Sequence, residues 1–148
     1  MSLFSWLTRK ISGEEVGTVT FAPGEEHFHG LNMREAIDAH VNWKNRLEAQ
    51  LTGAAEKLEI CQVAADDRCT LGTWIHGPGK QQYGKLPEFA ELMREHANFH
   101  LTAGKILMDV HEGKVEDARK LLHGGEFRHA SDTVQLSLVR LYAQSRSG

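Results

Sequence analysis

The sequence predicts an all-α protein: an antiparallel four-helix-type bundle with a short extra helix that carries a cysteine ligand. Three observations predict it. Apolar residues recur at helical spacing from Asn32 onward. No segment of strand period interrupts residues 32–145. The breaks between periodic segments fall at Gly53, Gly77-Pro78-Gly79, Gly113 and Gly124-Gly125, where helices end. A chain of 148 residues can bury a core of this kind without staples.

Residues 1–31 differ from the rest and are expected to be a flexible or docking N-terminal tail. Ser2 to Ile11 can form one short amphipathic helix, with Leu3, Leu7 and Ile11 on one side. Its Phe4, Trp6 and Arg9-Lys10 could dock on a partner or a membrane surface, although membrane association is not the expected role. Val16 to Phe21 reads as a short extended piece closed by Pro23-Gly24.

The bundle is expected over residues 32–145. Asn32 caps the first helix, with Glu35 three residues on. Ala36, His40, Trp43 and Leu47 form one apolar stripe, and Met33, Ile37, Val41 and Leu51 the adjacent one. Gly53 ends or weakens this helix, and Ala54 to Val63 is read as a second, shorter piece. Asp66 or Asp67 then caps a short helix from Arg68 to Ile75. A glycine-rich loop is expected from Gly77 through Gly84. Pro87 starts a long helix that turns Phe89, Leu92, Met93, His96, His100, Ala103, Leu107 and Val110 inward. Val115 to His123 is a short helix, and Glu126 to Gln144 the last one, with Val134, Leu138 and Leu141 in register.

Composition narrows the function. The net charge is -3 and no dense basic run occurs, which argues against nucleic acid as a partner. No apolar run is long enough to span a bilayer, and Met1 to Ile11 lacks the apolar core of a secretory signal. A cytoplasmic location is therefore expected. Two cysteines make no disulfide framework there, so each thiol is read as packing or metal chemistry. Cys61, between Ile60 and Val63, reads as packing.

Four residues could close around one metal ion: His40, Cys69, His96 and His100. One thiolate and three imidazoles are a donor set for Zn2+, sufficient for a closed tetrahedron. His96 and His100 lie one turn apart on one helix face, within the apolar stripe. His40 sits in the stripe of the first helix. Imidazoles facing a core are costly without partners, and one ion partners all three. Cys69 lies in the first turn of its helix, where free N–H groups favour a thiolate. Trp43 and Trp74 are expected to pack beside the ligands, and Gly72 to allow another backbone close. His76, His111 and His123 read as capping groups at helix ends. His27 and His29 leave room for a second, weak metal site in the tail.

The segments His40-x2-Trp43, Cys69-x-Leu71-Gly72-x-Trp74 and His96-x3-His100 resemble the motif of the CZB family, the chemoreceptor zinc-binding domain of bacteria. The resemblance covers approximately residues 30–145. It implies a helical, often homodimeric domain in which three histidines and one cysteine hold one zinc. It also implies regulation of chemotaxis receptors and diguanylate cyclases, in response to zinc availability or to hypochlorous acid acting on the cysteine. The sequence carries no signalling coiled coil and no cyclase domain, so it resembles a stand-alone member whose chemoreceptor or cyclic-di-GMP signalling partner is a separate chain.

A zinc-binding sensor is therefore the expected function. The alternative is a purely structural, zinc-stapled dimerisation or docking domain. An enzyme is not expected. Four strong ligands leave no open position for water, Ala97 stands where H-E-x-x-H needs its glutamate, and Glu95 points to another face. A di-iron carboxylate bundle needs inward glutamates that the stripe lacks.

Overall fold

The computed structural model describes residues 21–54 and 56–147. Two very short strands, β1 (His27–Phe28) and β2 (Leu31–Asn32), pair antiparallel and lead into the helices. The helices are α1 (Met33–Thr52), α2 (Ile60–Ala64), α3 (Thr70–Ile75), α4 (Pro78–Tyr83), α5 (Pro87–His111), α6 (Val115–His123) and α7 (Glu126–Ser147). Among the described residues all regular structure apart from that hairpin is helical, as the periodicity predicts. The central helix is α5, which packs on α7 most extensively and also on α1, α2 and α6. No described helix is long and apolar enough to cross a membrane.

Local rules explain most boundaries. Asn32 Oδ1 accepts the Glu35 N–H at 3.0 Å and starts α1. Gly53, at φ 71°, ends it in the left-handed region where a side chain would be strained. Pro87 begins α5 at a position whose N–H has no helical partner to lose. The short connection 112–114, with Gly113 at φ 79°, folds α6 back onto α5, and Gly124-Gly125 leads into α7.

Several expectations are corrected. Residues 54 and 56–59 are not helical. Gln50 binds this stretch on both sides, donating to the Glu56 carbonyl at 2.7 Å and accepting the Leu58 N–H at 3.1 Å. Those bonds satisfy an open backbone, and α2 starts only at Ile60. Cys61 is exposed rather than packed. Val63 is the buried residue of α2, and a position two residues away lies about 200° around the helix. Gly77 to Gly84 is not a loop, because Pro78 starts α4 there. Gly79 is glycine for packing: a Cβ on it would lie 2.6 Å from the Trp74 ring. Val41 is 43% exposed, since steps of four residues from Met33 drift off the buried face. Phe99 and Ile106 are fully buried, so the inward face of α5 is wider than the stripe named from sequence.

The hairpin also differs from a flexible tail. Phe28 and Leu31 are buried in the core. Phe28 packs on Trp74 at 5.3 Å, Tyr83 at 5.1 Å and Tyr142 at 5.4 Å between ring centroids. The Trp74 indole N–H donates to the His29 carbonyl at 2.9 Å. The amphipathic piece Ser2 to Ile11 and nearly all of Val16 to Phe21 lie outside the described residues.

Candidate metal centre

The helices bring His40, Cys69, His96 and His100 together. His40 comes from the middle of α1, and His96 and His100 come from successive turns of α5. Cys69 is the N-cap of α3. One donor atom from each residue lies within 4.8 Å of all the others. Among the described residues no other group of three or more His, Cys, Asp and Glu gathers this way. The imidazoles are 1%, 0% and 2% exposed at His40, His96 and His100, whereas Cys69 is only partly buried.

Three of the four donors are spaced as in a tetrahedral site, and His40 Nε2 completes the group within 4.8 Å. Cys69 Sγ lies 3.2 Å from His96 Nε2 and 3.5 Å from His100 Nε2, and the two Nε2 atoms are 3.1 Å apart. Zinc bonds of about 2.0–2.1 Å to nitrogen and about 2.3 Å to sulfur give tetrahedron edges of about 3.3 Å (N–N) and about 3.5 Å (N–S). The three separations fall close to those edges.

Tautomers agree with this geometry. His40 Nδ1 donates to the Ala36 carbonyl at 2.7 Å, and His100 Nδ1 to the Val63 carbonyl at 2.9 Å. A carbonyl only accepts, so each Nδ1 carries the proton and each Nε2 presents a lone pair. His40 Nε2 is buried with no hydrogen-bond partner, a condition that costs about 1–3 kcal/mol unless something binds it. A metal ion would supply that partner. His96 Nδ1 is also buried without a partner. His96 therefore lacks the backbone brace that steadies the other two rings.

The electrostatics favour neutral donors. Burial holds His40 down to about 4 and His96 down to about 2, with neighbouring histidines adding to the effect. Burial also lowers His100. Burial pushes the Cys69 thiol up, against the pull of nearby N–H groups that include Gly72 at 3.2 Å. At Cys69 burial outweighs the helix N-terminus, opposite to the preference for a thiolate that its place in the first turn predicts. A cation is the partner that would stabilise the anionic sulfur.

The supports for the site come from small residues. A Cβ on Gly72 would sit 1.9 Å from the Asp66 carbonyl oxygen, so the chain before Cys69 passes directly against α3. This is the close backbone approach expected of Gly72. The cap expected from Asp66 or Asp67 is instead made by Cys69 Sγ on the Gly72 N–H. A Cβ on Gly104 would lie 2.8 Å from Ala64 Cβ. That contact lets α2 approach α5 closely enough for Val63 to reach His100. Trp43 and Phe99 shield the rings: Trp43 lies 6.5 Å from His100, and Phe99 4.9 Å from His40.

Other histidines do different work. His76 faces Asp66 at 3.4 Å and His123 faces Glu48, so carboxylates rather than helix carbonyls are their partners. Glu95 accepts from Arg94 at 3.2 Å and lies outside the cluster. Sequence reasoning missed Ala36, Val63, Phe99 and Gly104. Only Gly104 left a signal, a glycine one turn beyond His100 within a long helix.

The model of the CZB family, chemoreceptor zinc-binding domain, matches residues 40–107. That segment begins at His40 and contains the other three donors. No curated protein and no solved structure matches the chain.

Proposed function

From the premise that residues 40–107 are a CZB zinc-binding domain, we propose that His40, Cys69, His96 and His100 hold its Zn2+ and that the domain is a sensor. The observation that carries the reading is asymmetry. Three donors are sealed in the core, while the sulfur donor is partly exposed on a six-residue helix. A zinc ion bound there would act as a Lewis acid that keeps the Cys69 sulfur anionic.

The signal is loss of zinc or oxidation of Cys69. With hypochlorous acid the sulfur takes the oxygen, becomes a sulfenic acid and releases chloride. The product is a poorer anionic donor. Structural zinc sites hold ~10–16 kcal/mol of apparent binding free energy. That is as large as a domain's whole stability of ~5–15 kcal/mol. The short helix α3 would move first, since α5 and α7 anchor the core. The output is chemotaxis or cyclic-di-GMP signalling, and the working unit is a homodimer.

A structural staple is the second reading, favoured by the near-complete burial of the imidazoles. Metal analysis with thiol titration separates the two. The sensor requires one zinc per chain, lost in Cys69→Ser and His96→Ala. It also requires that stoichiometric oxidation of Cys69 release zinc and loosen α3. Oxidation that leaves zinc content and helix packing unchanged would leave only the staple. Equal metal content in all three proteins would remove the site itself.

A further inference from the structure

A pocket of about 440 Å³ opens beside the metal centre and has Cys69 and His100 in its lining. Arg46 from α1 and Arg68 from the segment before α3 also line it, and both are exposed. Arg46 lies over the Trp43 ring, 3.8 Å from its centroid, and Trp43 in turn packs against His100. The guanidinium is thereby held near the centre instead of waving in solvent. Among the described residues neither Arg46 nor Arg68 is paired with a carboxylate. Within the lining the two arginines face one acidic residue, Glu59; Asp66, which acts on Cys69 from outside the lining, is itself engaged by His76 at 3.4 Å.

We propose that this pocket is the route by which small anions reach Cys69 Sγ, and that Arg46 and Arg68 select them by charge. The inference rests on the sensor reading and names the class of reagent or competing ligand that the site admits. Two cations at a recess with protein walls raise the local concentration of anions, an effect that falls with ionic strength. The three imidazoles are themselves almost wholly buried, on α1 and α5.

The test compares iodoacetate with its neutral analogue iodoacetamide in a Cys61→Ser background, which leaves one thiol. In both reactions the sulfur forms a bond to carbon, the carbon–iodine bond breaks, and iodide leaves with its electron pair. Both reagents attack the same sulfur, so the ratio of their rates cancels the thiol's own protonation. The same ratio for free mercaptoethanol is the reference. The expected ratio at Cys69 is about 3–10-fold above the reference and falls with added salt. Arg46→Glu and Arg68→Glu each lower it, and the double variant brings it to the reference or below.

A ratio at Cys69 equal to that of mercaptoethanol overturns the proposal, as does a ratio unmoved by salt. These two readings need no variant to fold. Zinc content measured on the same samples separates the inference from its premise. One zinc per chain without charge preference overturns the anion route alone. Absence of zinc binding overturns the sensor reading and the role of the route with it.

Discussion

Gly72→Ala tests whether the backbone crossing beneath α3 sets the metal geometry. The added Cβ would start 1.9 Å from the Asp66 carbonyl oxygen, 2.9 Å from the Asp66 carbonyl carbon and 3.2 Å from Asp67 Cα. Ordinary carbon–oxygen contact is about 3.2 Å or more, so the two segments must part by about 1.3 Å. All three neighbours are backbone, and none can rotate away. The displaced segments flank Cys69 on both sides, and the Gly72 N–H that braces its sulfur moves with them. Metal sites hold their bond lengths to about 0.2 Å, several times less than this shift. Overpacking of this kind costs about 1–3 kcal/mol. Loss of a ligand's outer support weakens metal binding by about 10–100-fold. Zinc affinity is read by competition with a chromophoric chelator, and fold stability by denaturant unfolding of the zinc-free chain. The expected result is a fall in both. Unchanged zinc affinity together with an unchanged unfolding midpoint would refute the crossing geometry.

Zinc removal should lower stability by about 4 kcal/mol relative to free zinc a thousandfold above its Kd. For a chain of this size that is on the order of 8–16 °C in Tm, readable by circular dichroism, and a zinc-independent Tm would contradict the site. Gly104→Ala should push α2 off α5, weaken the Val63 carbonyl contact to His100 and reduce zinc affinity. A variant that binds zinc as the parent does would separate α2 from the centre. The zinc-free chain should lose stability on acidification below about pH 6.5. His40 and His96 stay neutral in the folded protein down to about 4 and about 2, whereas an unfolded histidine protonates near 6.5. The unfolded chain therefore binds the extra protons, and stability is full above pH 6.5 and declines below it. The slope is about 1.4 kcal/mol per pH unit for each histidine until its folded value is reached. Unfolding midpoints at pH 7.5 and pH 5 that coincide, or a slope unchanged in His40→Asn, would count against neutral buried rings.

Much of this was legible in the sequence because it is periodic. His40, His96 and His100 fall on apolar stripes, and a stripe reports burial directly. Asn32, Gly53 and Pro87 sit at helix ends whose chemistry is local. What stayed hidden was set by tertiary contact. The cap of α3 reads as aspartate in sequence, since nothing local announces that a thiol will take the Gly72 N–H. Gly79 reads as a loop residue, yet its missing side chain makes room for the Trp74 ring. Ala54 to Val63 carries helical spacing, but Gln50 reaches forward to hold Glu56 and Leu58 in an open backbone. Phe28 and Leu31 belong to strands too short to show a period. The carbonyls of Ala36 and Val63 carry no side-chain signature at all.

Trp74 shares its helix with the sulfur donor and ends on the carbonyl of His29. Any rotation of that helix must therefore rupture an indole hydrogen bond or drag the β-turn along. In the second case residues 21–26, which lead into the hairpin, are re-aimed, like a rudder fixed to the same shaft. Chemistry at one sulfur atom would then be legible as a change of heading at the entrance to the bundle.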